Sequence, residues 1–191
     1  MELDACIRGR RSVRAYEEKP VPKEMVEAVL EAGVWAPTAQ NRQPWRFIIV
    51  EDKSIIKFIS DETKKTVREM MPSIGKRFET EEDIICYNAP VLILICTEID
   101  KTRLQIDLID SALAAQNMFL KAYELGLGTC YIGYISLLAR KPDAGPLRKA
   151  GVPEGYQLTA ALILGYPKNR QGPGTRNKPN VLKWIRSAGS P

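Results

Sequence analysis

Three arginines and a serine fall within five residues near the start of the chain, Arg10-Arg11-Ser12-Val13-Arg14. Guanidinium forks donate parallel charge-assisted hydrogen bonds, each worth about 1.5–3 kcal/mol net, which suits a dianionic phosphate. The same five residues would also serve as a solvated basic turn or a nucleic-acid patch. A second basic group lies near the other end: Lys168, Arg170, Arg176, Lys178, Lys183 and Arg186, with no acidic residue among them. A nucleic-acid binder would spread its charge as a stripe interleaved with aromatics. Two clusters that close on one phosphate from opposite ends of the chain are the sharper reading.

Three further stretches combine amides, glycines or bases where a ligand could approach. Ala36-Pro37-Thr38-Ala39-Gln40-Asn41-Arg42-Gln43-Pro44-Trp45 is a loop bracketed by two prolines. Its Thr38, Asn41 and Gln43 can donate to and accept from the edge of a planar heterocycle, although a plain helix-to-strand connection has the same look. In Leu125-Gly126-Leu127-Gly128-Thr129-Cys130-Tyr131-Ile132-Gly133-Tyr134, a helix end and a turn account for Gly126 and Gly128. They leave Gly133 unexplained, a place where backbone can approach a flat ring closely. Arg176-Asn177-Lys178-Pro179 is the fourth stretch, with a solvated tail as its alternative. No G-x-G-x-x-G follows a first strand, and no P-loop occurs.

Composition narrows the chemistry. At 191 residues, 45% hydrophobic, 27% charged and net +5, the chain reads as one globular domain over residues 1–191. It has no histidine, which excludes Ser-His-Asp and Cys-His triads and His-ligated zinc or iron. Any side-chain proton donor is therefore Tyr, Lys, Cys or a carboxylate. Cys6, Cys86, Cys96 and Cys130 show no paired spacing and read as free thiols of a reducing compartment. The charged start is unlike a signal peptide and no run is apolar for long enough to span a bilayer. The expectation is a cytoplasmic protein without membrane, nucleic-acid or metal partners.

The elements that must position these stretches are legible in outline. A short helix over residues 2–9 has a narrow apolar face of Leu3, Cys6 and Ile7. Val26, Val29, Leu30, Gly33 and Val34 then recur at helical spacing between Lys23 and Trp35. Trp45–Val50, Val91–Cys96 and Leu158–Gly165 read as buried strands, the first of them covered on both faces. Thr129–Ile135 is a further strand or strand-like loop. Asp52 and Ser54 offer caps for a helix through Glu62 or beyond, whereas Met70–Asp83 lacks pattern and is expected to be a mobile excursion or lid. Leu104–Leu125 is a long helix apolar nearly all round, so its own chain or a second subunit must cover it, and a dimer interface is favoured. A short amphipathic end follows at Val181, Leu182, Trp184 and Ile185. Helices first, then strands and helices mixed, argue for an α+β class.

RRSVR, APTAQNRQPWRF, AAQNMFLKAYELGLGTCYIG and ALILGYP with a later R-x-K-P occur in order through nearly the whole chain. Together they resemble the nitroreductase family of FMN-dependent NAD(P)H oxidoreductases. The resemblance implies a nitroreductase-like fold, a central, mostly antiparallel sheet flanked by helices. It also implies an intertwined homodimer with two FMN sites at the subunit interface and the long helix as dimer core. On the same ground, Arg10, Arg11, Ser12 and Arg14 would hold the FMN phosphate and ribityl end, with Arg176 and Lys178. Pro37, Thr38, Ala39 and Asn41 would line the flavin from the other subunit, and Ile132 and Gly133 would turn backbone groups toward ring N5. NADH or NADPH would be the co-substrate. A flat electron-poor small molecule, such as a nitroaromatic or quinone, would accept electrons in a ping-pong reaction that asks no nucleophile or general base of the protein. The departures fall mainly between Lys53 and Ile85. A same-fold dehalogenase or flavin-degrading enzyme is therefore one alternative, and a non-catalytic flavin carrier or nucleotide sensor another.

Overall fold

Val91–Glu98 (β2) and Tyr156–Gly165 (β4) carry long apolar runs and lie side by side at the centre of a four-stranded antiparallel sheet. The computed structural model describes residues 1–141, 144–169, 172, 174–177, 183 and 185. Arg46–Val50 (β1) pairs with β2 at one edge and Gly128–Tyr131 (β3) with β4 at the other, giving the order β1-β2-β4-β3.

Strand alternation builds a different core on each face of the sheet. Val91, Ile93, Ile95, Ala160, Leu162 and Leu164 pack with Lys23–Val34 (α2) and Leu104–Glu124 (α5). Leu92, Leu94, Cys96, Ala161 and Ile163 pack on the other side with Lys53–Met70 (α3), the 3-10 helix Gly133–Arg140 and a short helix near Leu147. Leu3–Gly9 (α1) docks on the C-terminal half of α5, where Gly9 lies against the Tyr123 ring.

A β-bulge ties α5 to the sheet. Pairing shifts between Ile95, opposite Ala160, and Cys96, opposite Leu158, so Thr159 is the extra residue. Its Oγ1 donates to the Ile95 carbonyl at 2.9 Å and lies 2.7 Å from Ser111 Oγ on α5. Buried and satisfied, this polar pair fixes the register of α5 on the strands.

Several expectations need correction. β1 is not buried on both faces, because it is an edge strand with Arg46 exposed and residues 47–49 half-buried. In α1 only Cys6 is buried, and Leu3 and Ile7 face outward. The strand expected through Ile135 ends at Tyr131 and turns into the 3-10 helix. Residues 70–83 form no open excursion. After α3, a short turn Pro72–Gly75 (α4) leads into Lys76–Phe78, whose Phe78 is buried edge-on against Tyr134 with 5.3 Å between centroids. The buried Lys64 of α3 donates to the carbonyls of Thr80 at 3.1 Å and Glu82 at 3.3 Å. These are tertiary contacts, invisible to a local pattern. α3 itself starts as expected: Asp52 Oδ1 accepts from the amides of Ser54 at 2.8 Å and Ile55 at 3.3 Å.

All four cysteines are free and buried. Among the described residues, no helix is long and apolar enough to cross a membrane and no acidic or thiol group is set to hold a metal. Of the expected amphipathic end, Val181, Leu182 and Trp184 lie outside the described residues.

Candidate functional site

The arginine stretch leaves α1 at Gly9 and runs across the end of the sheet. Ser12 bridges to Thr129 of β3, Val13 N–H donates to the Thr129 carbonyl at 2.9 Å, and Tyr16 Oη donates to the Val13 carbonyl at 2.9 Å. The segment leaving β4 lies against the same stretch, with Glu17 N–H donating to Tyr166 O at 2.9 Å and Lys168 N–H to Ala15 O at 3.0 Å. Gly128 is needed for this approach, since a Cβ there would stand 2.6 Å from Val13 Cγ2.

These backbone ties bring the two basic ends together. A Cβ at Gly174 would sit 3.1 Å from both Arg11 Nε and Arg176 Nη1. The Arg10 guanidinium lies 5.5 Å from the centroid of Phe119 on α5. Its pKa is lowered, by burial first and then by the charges of Arg11 and Arg176. Among the described residues, none of Arg10, Arg11, Arg14 and Arg176 is ion-paired with a carboxylate. Arg11 Nε is buried with no hydrogen-bond partner among the described residues. Crowded like charges and an orphaned buried donor are costly unless an anion completes them. Of the six expected phosphate residues, Lys178 lies outside the described residues.

Next to this end lies a cavity of about 340 Å³, lined by Arg14, Met71, Tyr87, Tyr131, Tyr134 and the Ile132-Gly133 backbone among others. Gly133 borders open space, with no heavy atom within 4 Å of where a Cβ would stand. Ile132 N–H is already used by the Ala161 carbonyl at 2.8 Å, and the Ile132 side chain is buried. Gly133, in contrast, opens the 3-10 helix, and the first amides of such a helix have no acceptor inside it. Burial pushes the Cys130 thiol up, against Arg14, Ser12 and Arg10, so it lines the cavity as a neutral group rather than a nucleophile. Tyr87 reaches the wall from a turn in which Tyr87 and Asn88 both have φ of 54°. Asp83 caps that turn, accepting from Cys86 N–H at 2.8 Å and Asn88 N–H at 2.9 Å.

The 36–45 loop is elsewhere. Gln40, Asn41 and Gln43 have φ of 56°, 53° and 50°, three left-handed non-glycine residues that cost about 1–3 kcal/mol each. Thr38 Oγ1 accepts from Gln43 N–H at 3.1 Å, and Asn41 Oδ1 accepts from Gln43 Nε2 at 3.1 Å. Those two acceptors are therefore used inside the loop, leaving the Asn41 amino group toward solvent. Ala39 N–H donates to the Asp110 carboxylate at 3.2 and 3.3 Å, and Arg42 Nη1 lies 3.6 Å from Asp107 Oδ1. Asp110 and Phe119, which mark the loop and the arginine end, stand about 13 Å apart along α5. Within one copy, Pro37, Thr38, Ala39 and Asn41 are thus not gathered with Arg10 and Arg11.

Sequence reasoning missed Tyr87, Met71 and the pair Asp107 and Asp110. The acids carried a signal: two carboxylates three apart in the mostly apolar first half of a long helix. A broad apolar surface also stays uncovered, including Leu3 and Ile7 of α1, Trp35, and Ile106, Ile109 and Leu113 of α5.

A nitroreductase of Bacteroides fragilis with bound FMN aligns over 97% of this chain and 99% of its own, at 27% identity and a TM-score of 0.83. A nitroreductase of Desulfitobacterium hafniense with bound FMN aligns over 97% and 100%, at 26% identity and a TM-score of 0.85. A candidate NADH dehydrogenase/NAD(P)H nitroreductase of Archaeoglobus fulgidus is 30% identical over 175 residues, 88% of this chain and 89% of its own. The relatives extend to iodotyrosine deiodinase 1 of Rattus norvegicus, 28% identical over 185 residues (87% of this chain, 62% of its own). They also include 5,6-dimethylbenzimidazole synthase of Rhodospirillum rubrum, 26% identical over 184 residues (87% and 82%). The family pattern itself is matched over residues 7–166, most of the length, and the chain belongs to the Nitroreductase family.

Proposed function

We propose that this chain is an FMN-dependent oxidoreductase that moves reducing equivalents from NADH or NADPH to a flat, electron-poor small molecule such as a nitroaromatic or a quinone. The observation that carries it is the meeting of Arg10, Arg11 and Arg176 with no acid among them and with Arg11 Nε buried and unpartnered. The residues present fit the mononucleotide: a cationic end for its phosphate, and beside it a cavity with an open-sided glycine for its ring.

When bound, FMN would supply the redox chemistry that links the nicotinamide, as hydride donor, to the acceptor, a ping-pong sequence compatible with a chain lacking histidine. Arg10, Arg11, Ser12 and Arg14 would grip the phosphate and ribityl end, joined by Arg176 and Lys178. The Gly133 amide is the available donor toward the ring, because Ile132 has spent its own on the sheet. Tyr87, Tyr131 and Tyr134 line the cavity and would offer ring faces against which a flat acceptor stacks. The working unit would be a homodimer: the uncovered α1 and α5 surface supports it, and it would bring the Pro37–Asn41 loop of a second copy to the flavin. Four free buried thiols support a reducing, cytoplasmic setting.

Purified protein should be yellow, and anaerobic mixing with NADH or NADPH should bleach the flavin rapidly, with colour returning on addition of a quinone or nitroaromatic. A yellow protein that bleaches with neither nucleotide would be a flavin carrier instead. One that bleaches but reoxidises only with a halogenated aromatic would mark a dehalogenase.

A further inference from the structure

We propose that Asp107 and Asp110 of α5 are positioning residues whose buried carboxylates hold the 37–43 loop in its left-handed form, so that it can serve as the second wall of the flavin site. This rests on the reading that the loop faces FMN. Asp110 is 4% exposed and Asp107 2%, in a helix whose register Ser111 fixes through the bulge residue Thr159. Both oxygens of Asp110 converge on one backbone donor, Ala39 N–H, at 3.2 and 3.3 Å. Asp107 pairs with Arg42 at the other end of the same turn, at 3.6 Å, and its Oδ1 has no hydrogen-bond partner. Between those two anchors lie Gln40 and Asn41, at positive φ, with Gln43 just beyond.

A buried acid is a costly anchor for a plain connection, since a neutral side chain could cap one amide as well. A strained turn, in contrast, persists only when its surroundings over-determine it, and strain of this kind clusters at ligand clamps. Arg42 is otherwise an exposed loop residue, and its pairing ties the loop's far side to the same helix. Thr38 and Asn41 spend their acceptors inside the turn, so its shape is set from within and from α5 before any ligand arrives. The loop is pre-organised by the helix.

The test is amide hydrogen exchange of the apo full-length protein, paired with FMN titration by flavin fluorescence. Asp110→Ala should speed exchange across residues 39–43 by about tenfold, the factor for losing one charged hydrogen bond, and weaken FMN by a similar factor. Asp110→Asn keeps an acceptor of the same shape and should restore both. Exchange at Ile93 and Leu162 in the central strands reports general unfolding and should quicken only by the variant's own loss of global stability, read from its urea midpoint. Ala39→Pro is the second variant. It deletes the donor while Thr38, at φ −134° and ψ 152°, already holds the extended form that a residue before proline prefers, and it should weaken FMN as Asp110→Ala does. Unchanged exchange in Asp110→Ala overturns the proposal. Faster exchange with unchanged FMN affinity overturns its link to the cofactor while leaving the arginine end intact. A wild-type protein that refuses FMN altogether would sink the functional reading but not the clamp, which the exchange arm still reads.

Discussion

The arginine end and the 36–45 loop, both conspicuous in the sequence, are built by opposite means. Residues 10–14 are set by backbone hydrogen bonds to β3 and to the segment after β4, and among the described residues no carboxylate pairs with their arginines. The loop is set by side chains, its own and two acids of α5, so little of its hydrogen-bonding capacity is left over. The first region is a ligand site in waiting within one copy. The second, on the proposed reading, would be the wall that a second copy presents to the flavin.

That contrast can be broken most forcefully at the uncovered surface. Ile109 is 61% exposed in the N-terminal half of α5. In the proposed homodimer, Ile109→Asp would bury an unpaired charge in the seam, a penalty of several kcal/mol, and sedimentation should show a dimer for wild type and a monomer for the variant. FMN should weaken with it, because the loop wall is lost. A dimer that survives would mean that another surface pairs the copies.

Arg11→Ala addresses the other region alone. It should cost about 1.5–3 kcal/mol of FMN binding, roughly 10- to 100-fold, with the dimer intact. Titration in the same buffer reads it, and wild-type affinity would remove Arg11 from the phosphate grip.

Two glycines sharpen the comparison further. Gly128→Ala places a methyl 2.6 Å from Val13 Cγ2 and should lower stability by about 1–3 kcal/mol. Gly133→Val meets open space, so the melting temperature of the apo protein should stay put while FMN affinity drops. Reversal of that pair would put the ring elsewhere.

The smallest effect lies in the core on the α3 side of the sheet. Burial pushes the Cys96 thiol up to about 12. Below the unfolded thiol's pKa the group is neutral in both states. As pH rises past that value toward 12, only the unfolded chain ionises, and stability falls. Urea midpoints should decline over that alkaline range and less steeply in Cys96→Ala.

How much of this was legible follows from where each determinant lies. β2 and β4 announce themselves by unbroken apolar runs, and α2 and α5 by periodicity, because burial in them is decided along the chain. Trp45–Val50 carries an apolar run that suggests burial on both faces, but the place of β1 at the sheet edge is a topological fact that no local run states. Residues 70–83 looked patternless because Lys64, Phe78 and Tyr134 order them across the fold. In the site, the convergence of both basic ends was visible because unpaired like charges need an answer wherever they lie. The roles of Asp107 and Asp110 depend on which loop group each carboxylate meets, the Arg42 guanidinium or the Ala39 amide, and no spacing within α5 states that.

The claim beneath all of this is that the arginine end recognises a phosphate, and apo protein titrated with FMN and with riboflavin tests it directly. The two ligands share the ring and ribityl chain and differ only in that group. FMN should bind at least about 100-fold more tightly, the factor for one or two charge-assisted contacts, and rising salt should narrow the gap. Equal affinities would contradict it.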